Sequence, residues 1–185
     1  MRKILLVGAL AAGCFMGAAS PASAEETTCR GTLGAVTVDN LRVPQGATCA
    51  LNGTRVKGTV KVERTATLRA SAVTVIGNVQ AENAANVQVL NGSSVGGSVQ
   101  VVQGGAASVA DSYVTGDILY DHNTRSLSAL RNRVGGNVQA FQNTGGVAIS
   151  GNRIDGNLQC KQNQPPPTGG GNIVQGNKED QCARL

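Results

Sequence analysis

Arg133–Ala140 reads RVGGNVQA, and Arg153–Cys160 reads RIDGNLQC. Both follow one pattern: cation, aliphatic, any residue, Gly, Asn, aliphatic, Gln, small residue. Working outward from this pair, the glycine recurs at Gly58, Gly77, Gly97, Gly116, Gly136, Gly156 and Gly176, in steps of 19 or 20 residues. Nineteen residues before Gly58 stands Asp39, which opens an eighth copy without its glycine. A period of this length marks a stacked repeat architecture, and here the repeats cover about residues 39–177.

The columns of the repeat assign roles. Two places before the glycine stand Val56, Val75, Val95, Val114, Val134, Ile154 and Val174. Two places after it stand Leu41, Val60, Val79, Val99, Ile118, Val138 and Leu158, until Lys178 breaks the series. β-Branched residues at alternate positions are the signal of a strand with one buried face. The interposed column, Arg42, Lys61, Gln80, Gln100, Leu119, Gln139 and Gln159, reads as the outer face. A second strand follows about ten residues on, in ATLRA, VQVL, ASVA and GVAI, and no helical spacing occurs. One strand pair per repeat without hairpin symmetry predicts an all-β solenoid, a parallel β-helix of about eight coils of 19–20 residues. Left-handed helices run on strict hexapeptides with coils near ~18 residues, so a coil of 20 favours the right-handed form.

The residue after each glycine is small and polar: Asn40, Asn78, Asn137, Asn157 and Asn177, with Thr59, Ser98 and Asp117 between them. Stacked coils would bring these side chains into register as a hydrogen-bonded ladder. In this reading the glycine permits the bend and the Asn staples one coil to the next. The recurring V-x-G-N-V-Q element resembles that of secreted bacterial parallel β-helix-like repeat proteins of unassigned function. More distantly it resembles the bactofilin group of polymer-forming β-helices. The first resemblance implies a β-helix and no catalytic residues; the second implies self-association.

The chain begins with Arg2 and Lys3, continues with an apolar run from Ile4 to about Ala18, and reaches Ala22-Ser23-Ala24. That order predicts a signal peptide over 1–24 with cleavage after Ala24, leaving residues 25–185 as one β-helix domain, secreted or otherwise extracytoplasmic. Leu10-Ala11-Ala12-Gly13-Cys14 loosely matches a lipobox, which makes lipid anchoring through Cys14 the alternative. The run is short for a spanning helix and no later segment is longer, so no transmembrane segment is expected. Loss of Arg2 and Lys3 lowers the formal charge from +5 to +3, too mild for nucleic acid. Tyr113, Tyr120 and Phe141 are the aromatics after residue 24, so the core must be narrow and aliphatic.

Cys29, Cys49, Cys160 and Cys182 remain after processing, and an even number in an exported chain reads as a disulfide framework. Cys29 and Cys49 are 20 apart, Cys160 and Cys182 22 apart, so each pair is separated by about one coil. A disulfide spans Cα atoms ~4.4–6.8 Å apart, and neighbouring coils offer ~4.8 Å. The expected pairs cap the two ends, giving a monomer when oxidised and end-to-end self-association when the caps are lost. No CxxC occurs and His122 is the lone histidine, so neither metal nor other cofactor is expected.

Glu63, Glu82 and Asp121 share the column five places after the glycine and form a weak candidate acid or cation site. Arg55, Lys57, Lys61, Arg64 and Arg69 make one coil locally basic. His122 lacks a nucleophile partner at any telling spacing. The PPPTGGG stretch at 165–171 reads as a projecting loop. Together these features predict a non-enzymatic exported solenoid with a structural or interaction role in the envelope or outside the cell, its partner an envelope polymer or polysaccharide. The alternative is a carbohydrate-binding or polysaccharide-active β-helix protein.

Overall fold

The structure, a computed structural model, describes residues 25–185; the cleavage position at Ala24 and the lipobox Cys14 lie outside the described residues. Each coil contributes one strand to each of three parallel sheets, and no helix forms among the described residues. In the coil around Lys61, for example, Val60–Val62 belongs to sheet A, Thr67–Ser71 to sheet B and Thr74–Val75 to sheet C. Sheet A holds nine strands, from Glu26–Thr28 to Lys178–Asp180, and sheets B and C hold eight each. All pairs are parallel and in register, as in Val79 opposite Val99 and Val138 opposite Leu158.

Two strands per repeat were expected, and the third corrects that reading. The aliphatics before and after the glycine lie on different sheets, because the chain turns a corner at the glycine: Val75 ends a strand of sheet C and Val79 opens one of sheet A. A two-residue strand carries one inward side chain, too few to show a period of its own. Two further corrections follow from pairing. Glu26–Thr28 extends sheet A below the first motif, since it pairs with Asn40–Val43 although it lies 14 residues before it. Thr168–Gly170, within the stretch taken for a loop, pairs with Ala148–Ser150, and the adjacent Pro167 is buried.

The core is one column of aliphatics per inward position. Val56, Val95, Val114, Val134 and Ile154 of sheet C, and Val60, Val99, Ile118, Val138 and Leu158 of sheet A, are fully buried. Burying each such side chain is worth ~1.5–3 kcal/mol, so stability is spread evenly along the rod. Tyr120 is the exception in size. It stands in register between Val101 and Ala140, and its hydroxyl donates to the Ser128 carbonyl at 2.7 Å.

The corners need special backbone. At the corner between sheets A and B, Asn83, Gln103, His122, Gln142 and Gln162 take positive φ of 52–56°. At the corner between B and C, Ala72, Asp111 and Arg131 do the same, with Gly53, Gly151 and Gly171 in equivalent places. A left-handed non-glycine residue costs ~1–2 kcal/mol, so something at each corner must offset it.

Candidate functional site

Hydrogen bonds running along the axis tie the corners of successive coils together. At the C-to-A corner the ladder is continuous: the backbone N–H after each glycine donates to the small polar side chain one coil earlier. Thr59 donates to Asn40 Oδ1 at 3.0 Å, Ser98 to Asn78 Oδ1 at 2.8 Å, Asn157 to Asn137 Oδ1 at 2.8 Å and Asn177 to Asn157 Oδ1 at 2.8 Å. Thr59, Ser98 and Asp117 fill the intervening rungs.

The glycine of the motif has a different role from the one its position suggested. No member of the column has positive φ, so freedom to bend is not the need. A Cβ on Gly156 would sit 2.6 Å from both Asn137 Oδ1 and the Gly136 carbonyl. The ladder occupies the space a side chain would take.

The other two corners carry ladders that the sequence reading missed. Asn123, Asn143 and Asn163 follow the strained residues of the A-to-B corner and are buried. Asn143 Oδ1 accepts from the Asn123 backbone N–H at 2.9 Å, and its Nδ2 donates to the Tyr120 carbonyl at 3.0 Å and Asn163 Oδ1 at 2.8 Å. Asn132, Asn152 and Asn172 repeat the arrangement at the B-to-C corner. The available signal was Asn at a fixed offset from the glycine, seven after or four before. It was obscured because earlier coils put Ala84, Gly104, Val73 and Ser93 in those places.

The disulfides join Cys29 to Cys49 and Cys160 to Cys182, with Cα separations of 5.6 and 5.2 Å. The second ties back a closing turn in which Leu185 packs on the core and Gln181 Oε1 completes the Asn163 ladder at 2.8 Å. The first joins the edge segment after Glu26–Thr28 to sheet B.

Glu63 and Glu82 line a shallow groove of about 540 Å³ on sheet A, together with Lys61, Arg64, Gln80 and Gln100. Both Glu63 oxygens are already engaged, one by Arg42 at 3.4 Å and the other by the Gln45 backbone N–H at 3.0 Å. Asp121 lies two coils beyond Glu82 in register, past Val102, and contacts His122 Nδ1 at 2.8 Å. Among the described residues no three His, Cys, Asp or Glu side chains gather as a metal-holding group. The basic coil is likewise divided: Arg55 stands on sheet C, Lys61 on sheet A and Arg69 on sheet B, while Lys57 is paired with Asp39 at 2.9 Å. Five cations in one turn of a three-sided rod point in three directions, so they form no single patch.

Two pairs of charges on neighbouring coils are matched. Arg131 grips Asp111 through Nε at 2.6 Å and a second nitrogen at 2.7 Å, and this bond holds the Asp111 carboxyl below its ordinary range. Lys57 does the same for Asp39. The chain matches no known protein-family model, no curated protein and no solved structure.

Proposed function

We propose that this protein is an exported, non-enzymatic solenoid scaffold that displays columns of side chains to a polymer of the cell envelope or extracellular space. The observation carrying this reading is the registered outer face: Arg42, Lys61, Gln80, Gln100, Leu119, Gln139, Gln159 and Glu179 are successive partners along sheet A. Side chains within that column bond one another: the Gln139 amide donates to Gln159 Oε1 and the Gln159 amide to the Glu179 carboxylate, each at 2.8 Å. Such an array repeats at ~4.8 Å and is supported along its length by the C-to-A ladder, with the asparagine ladders of the other two corners joining it in the later coils. A periodic rigid surface suits a periodic ligand better than a small molecule, because the contacts add along the length. Export rests on the leader through Ala24, and the intact mass of secreted material should begin at Glu25.

The polysaccharide-active alternative would place its chemistry in the groove beside Glu82. Glu63 is a poor partner there, since its two oxygens are committed to Arg42 and Gln45. Pull-down of the purified protein on peptidoglycan, chitin and acidic polysaccharides, with an assay for new reducing ends, separates the readings. Retention without reducing ends is expected. Release of reducing ends would make it an enzyme, and no retention on any polymer would remove the polymer-binding role.

A further inference from the structure

Sheet C differs from the other two faces. Among the described residues the large apolar side chains left exposed are Val36, Ile76, Tyr113 and Ile173, and all four lie in or beside its strands. Sheet B presents instead a neutral, small-residue column, Ser108, Ser128, Ala148 and Thr168, with Arg69 its one cation in strand register. Along sheet C, Tyr113, Arg133, Arg153 and Ile173 are successive register partners.

Arg133 and Arg153 are the cations of the two repeats RVGGNVQA and RIDGNLQC, and the fold stacks them directly. Like charges opposite one another on neighbouring strands are destabilising. Arg42 also faces a cation, Lys61, but it holds Glu26 at 2.8 Å and Glu63 at 3.4 Å. Arg133 has no carboxylate partner among the described residues, and the Arg153 Nε lies 4.0 Å from Asp155, which Gln175 already engages at 3.0 Å. Two guanidinium groups thus stand one coil apart and exposed, neither held bidentately by a carboxylate, with the half-exposed Tyr113 ring continuing their row. Gly135, the next outward position after Arg133, leaves the strip open on that side.

We propose that the row Tyr113–Arg133–Arg153 is a binding strip for a carboxylate-bearing polysaccharide laid along the rod axis, an assignment that rests on the polymer-binding reading above. Planar guanidinium groups pair bidentately with carboxylates, and two in line at ~4.8 Å meet charges that recur along a chain. The tyrosine ring supplies an apolar face with a polar tip for a sugar ring. A second copy presenting the same strip would set arginine against arginine. A lipid surface is disfavoured because the four exposed apolar residues are strung out from Val36 to Ile173, with no contiguous patch to insert.

The test is calorimetric titration with polygalacturonate, with neutral galactan and with phosphatidylserine vesicles. Arg133→Gln with Arg153→Gln is compared against Arg69→Gln with Arg125→Gln, which removes the same charge from other exposed positions. Wild type should bind polygalacturonate and neither other probe. The strip variant should lose tenfold or more in affinity, ~10-fold being the loss of one charge-assisted hydrogen bond, and the control about twofold through screened charge. Arg133→Lys, which keeps the charge and loses the fork, should fall between them and serves if the double variant misfolds. Equal losses in strip and control, or vesicle binding that depends on the same arginines, would overturn the strip. If polygalacturonate fails to bind while another polymer is retained in the pull-down, the strip falls and the scaffold reading stands. If no polymer is retained, both fall.

Discussion

Asn143 shows what one side chain does inside this rod. Buried, it accepts from Asn123 through both the backbone N–H at 2.9 Å and Nδ2 at 3.0 Å, and it donates to the Tyr120 carbonyl and to Asn163. Asn143→Ala would leave the buried Asn123 N–H unpaired, at ~1–3 kcal/mol, and would remove the amide bonds to the Tyr120 carbonyl and to Asn163. We expect a loss of ~2–4 kcal/mol in urea unfolding, and a loss near that of a surface substitution would refute the ladder's energetic role. Tyr120 gives a test in pH. Burial holds its phenol above the ordinary value of 10.0, so the unfolded chain loses that proton first. The contribution is complete below pH ~10 and declines as pH rises from there. Tyr120→Phe, lacking the bond to Ser128, should be ~1 kcal/mol less stable at pH 7 and show a shallower alkaline decline. Parallel alkaline curves for the two proteins would contradict it.

At the scale of the element, the corner and the ladder are one device. In the later coils the left-handed corner residues His122 and Gln142 each precede an asparagine whose amide bonds both to the coil before and to the coil after. Those bonds exist only when coils stack. Gly156 at the third corner makes the packing testable, since a methyl there would meet the Gly136 carbonyl and Asn137 Oδ1. Gly156→Ala should cost ~2 kcal/mol or more by overpacking, measured as a fall in the urea midpoint. Gly34→Ala, where nothing lies within 4 Å, should change stability by under ~0.5 kcal/mol. Equal effects would mean that the glycine serves the chain's bend and not the close approach of coils.

For the whole molecule, stability is a sum over neighbouring coils, so the ends are where unfolding should begin. The closing turn is held by Cys160–Cys182, by Leu185 on the core and by Gln181 on the Asn163 ladder. A bridge spanning 22 residues contributes ~3 kcal/mol in the chain-entropy account. Cys160→Ala with Cys182→Ala should raise amide exchange more than tenfold across 168–185, with ~10-fold per 1.4 kcal/mol, while amides near Val99 and Ile118 stay protected. Uniform acceleration along the rod would show that the cap acts globally. The oxidised protein should scatter light as a monomer, and the uncapped variant should associate with rising concentration as its strand edges open.

The period of 19 or 20 residues, the alternation of aliphatic and polar columns and the one-coil spacing of the cysteines are local facts, and they were enough to specify stacked parallel coils. They suffice because a solenoid's contacts run between equivalent positions of successive repeats, so register follows from arithmetic on the sequence. The number of sheets did not follow, because a strand as short as Arg133–Val134 has no period of its own and borrowed that of its neighbour across the corner. Nor did the inner ladders, because the place that Asn143 fills in one coil is held in an earlier coil by Gly104, which brings only its backbone N–H to Asn123. Facing was hidden for the same reason: Arg55, Lys61 and Arg69 are close in sequence and stand on different sheets, whereas Arg133 and Arg153, twenty residues apart, are side by side. Which side chains share a surface depends on where the chain turns, and in this protein the turns are set by stacking against the coil before and the coil after.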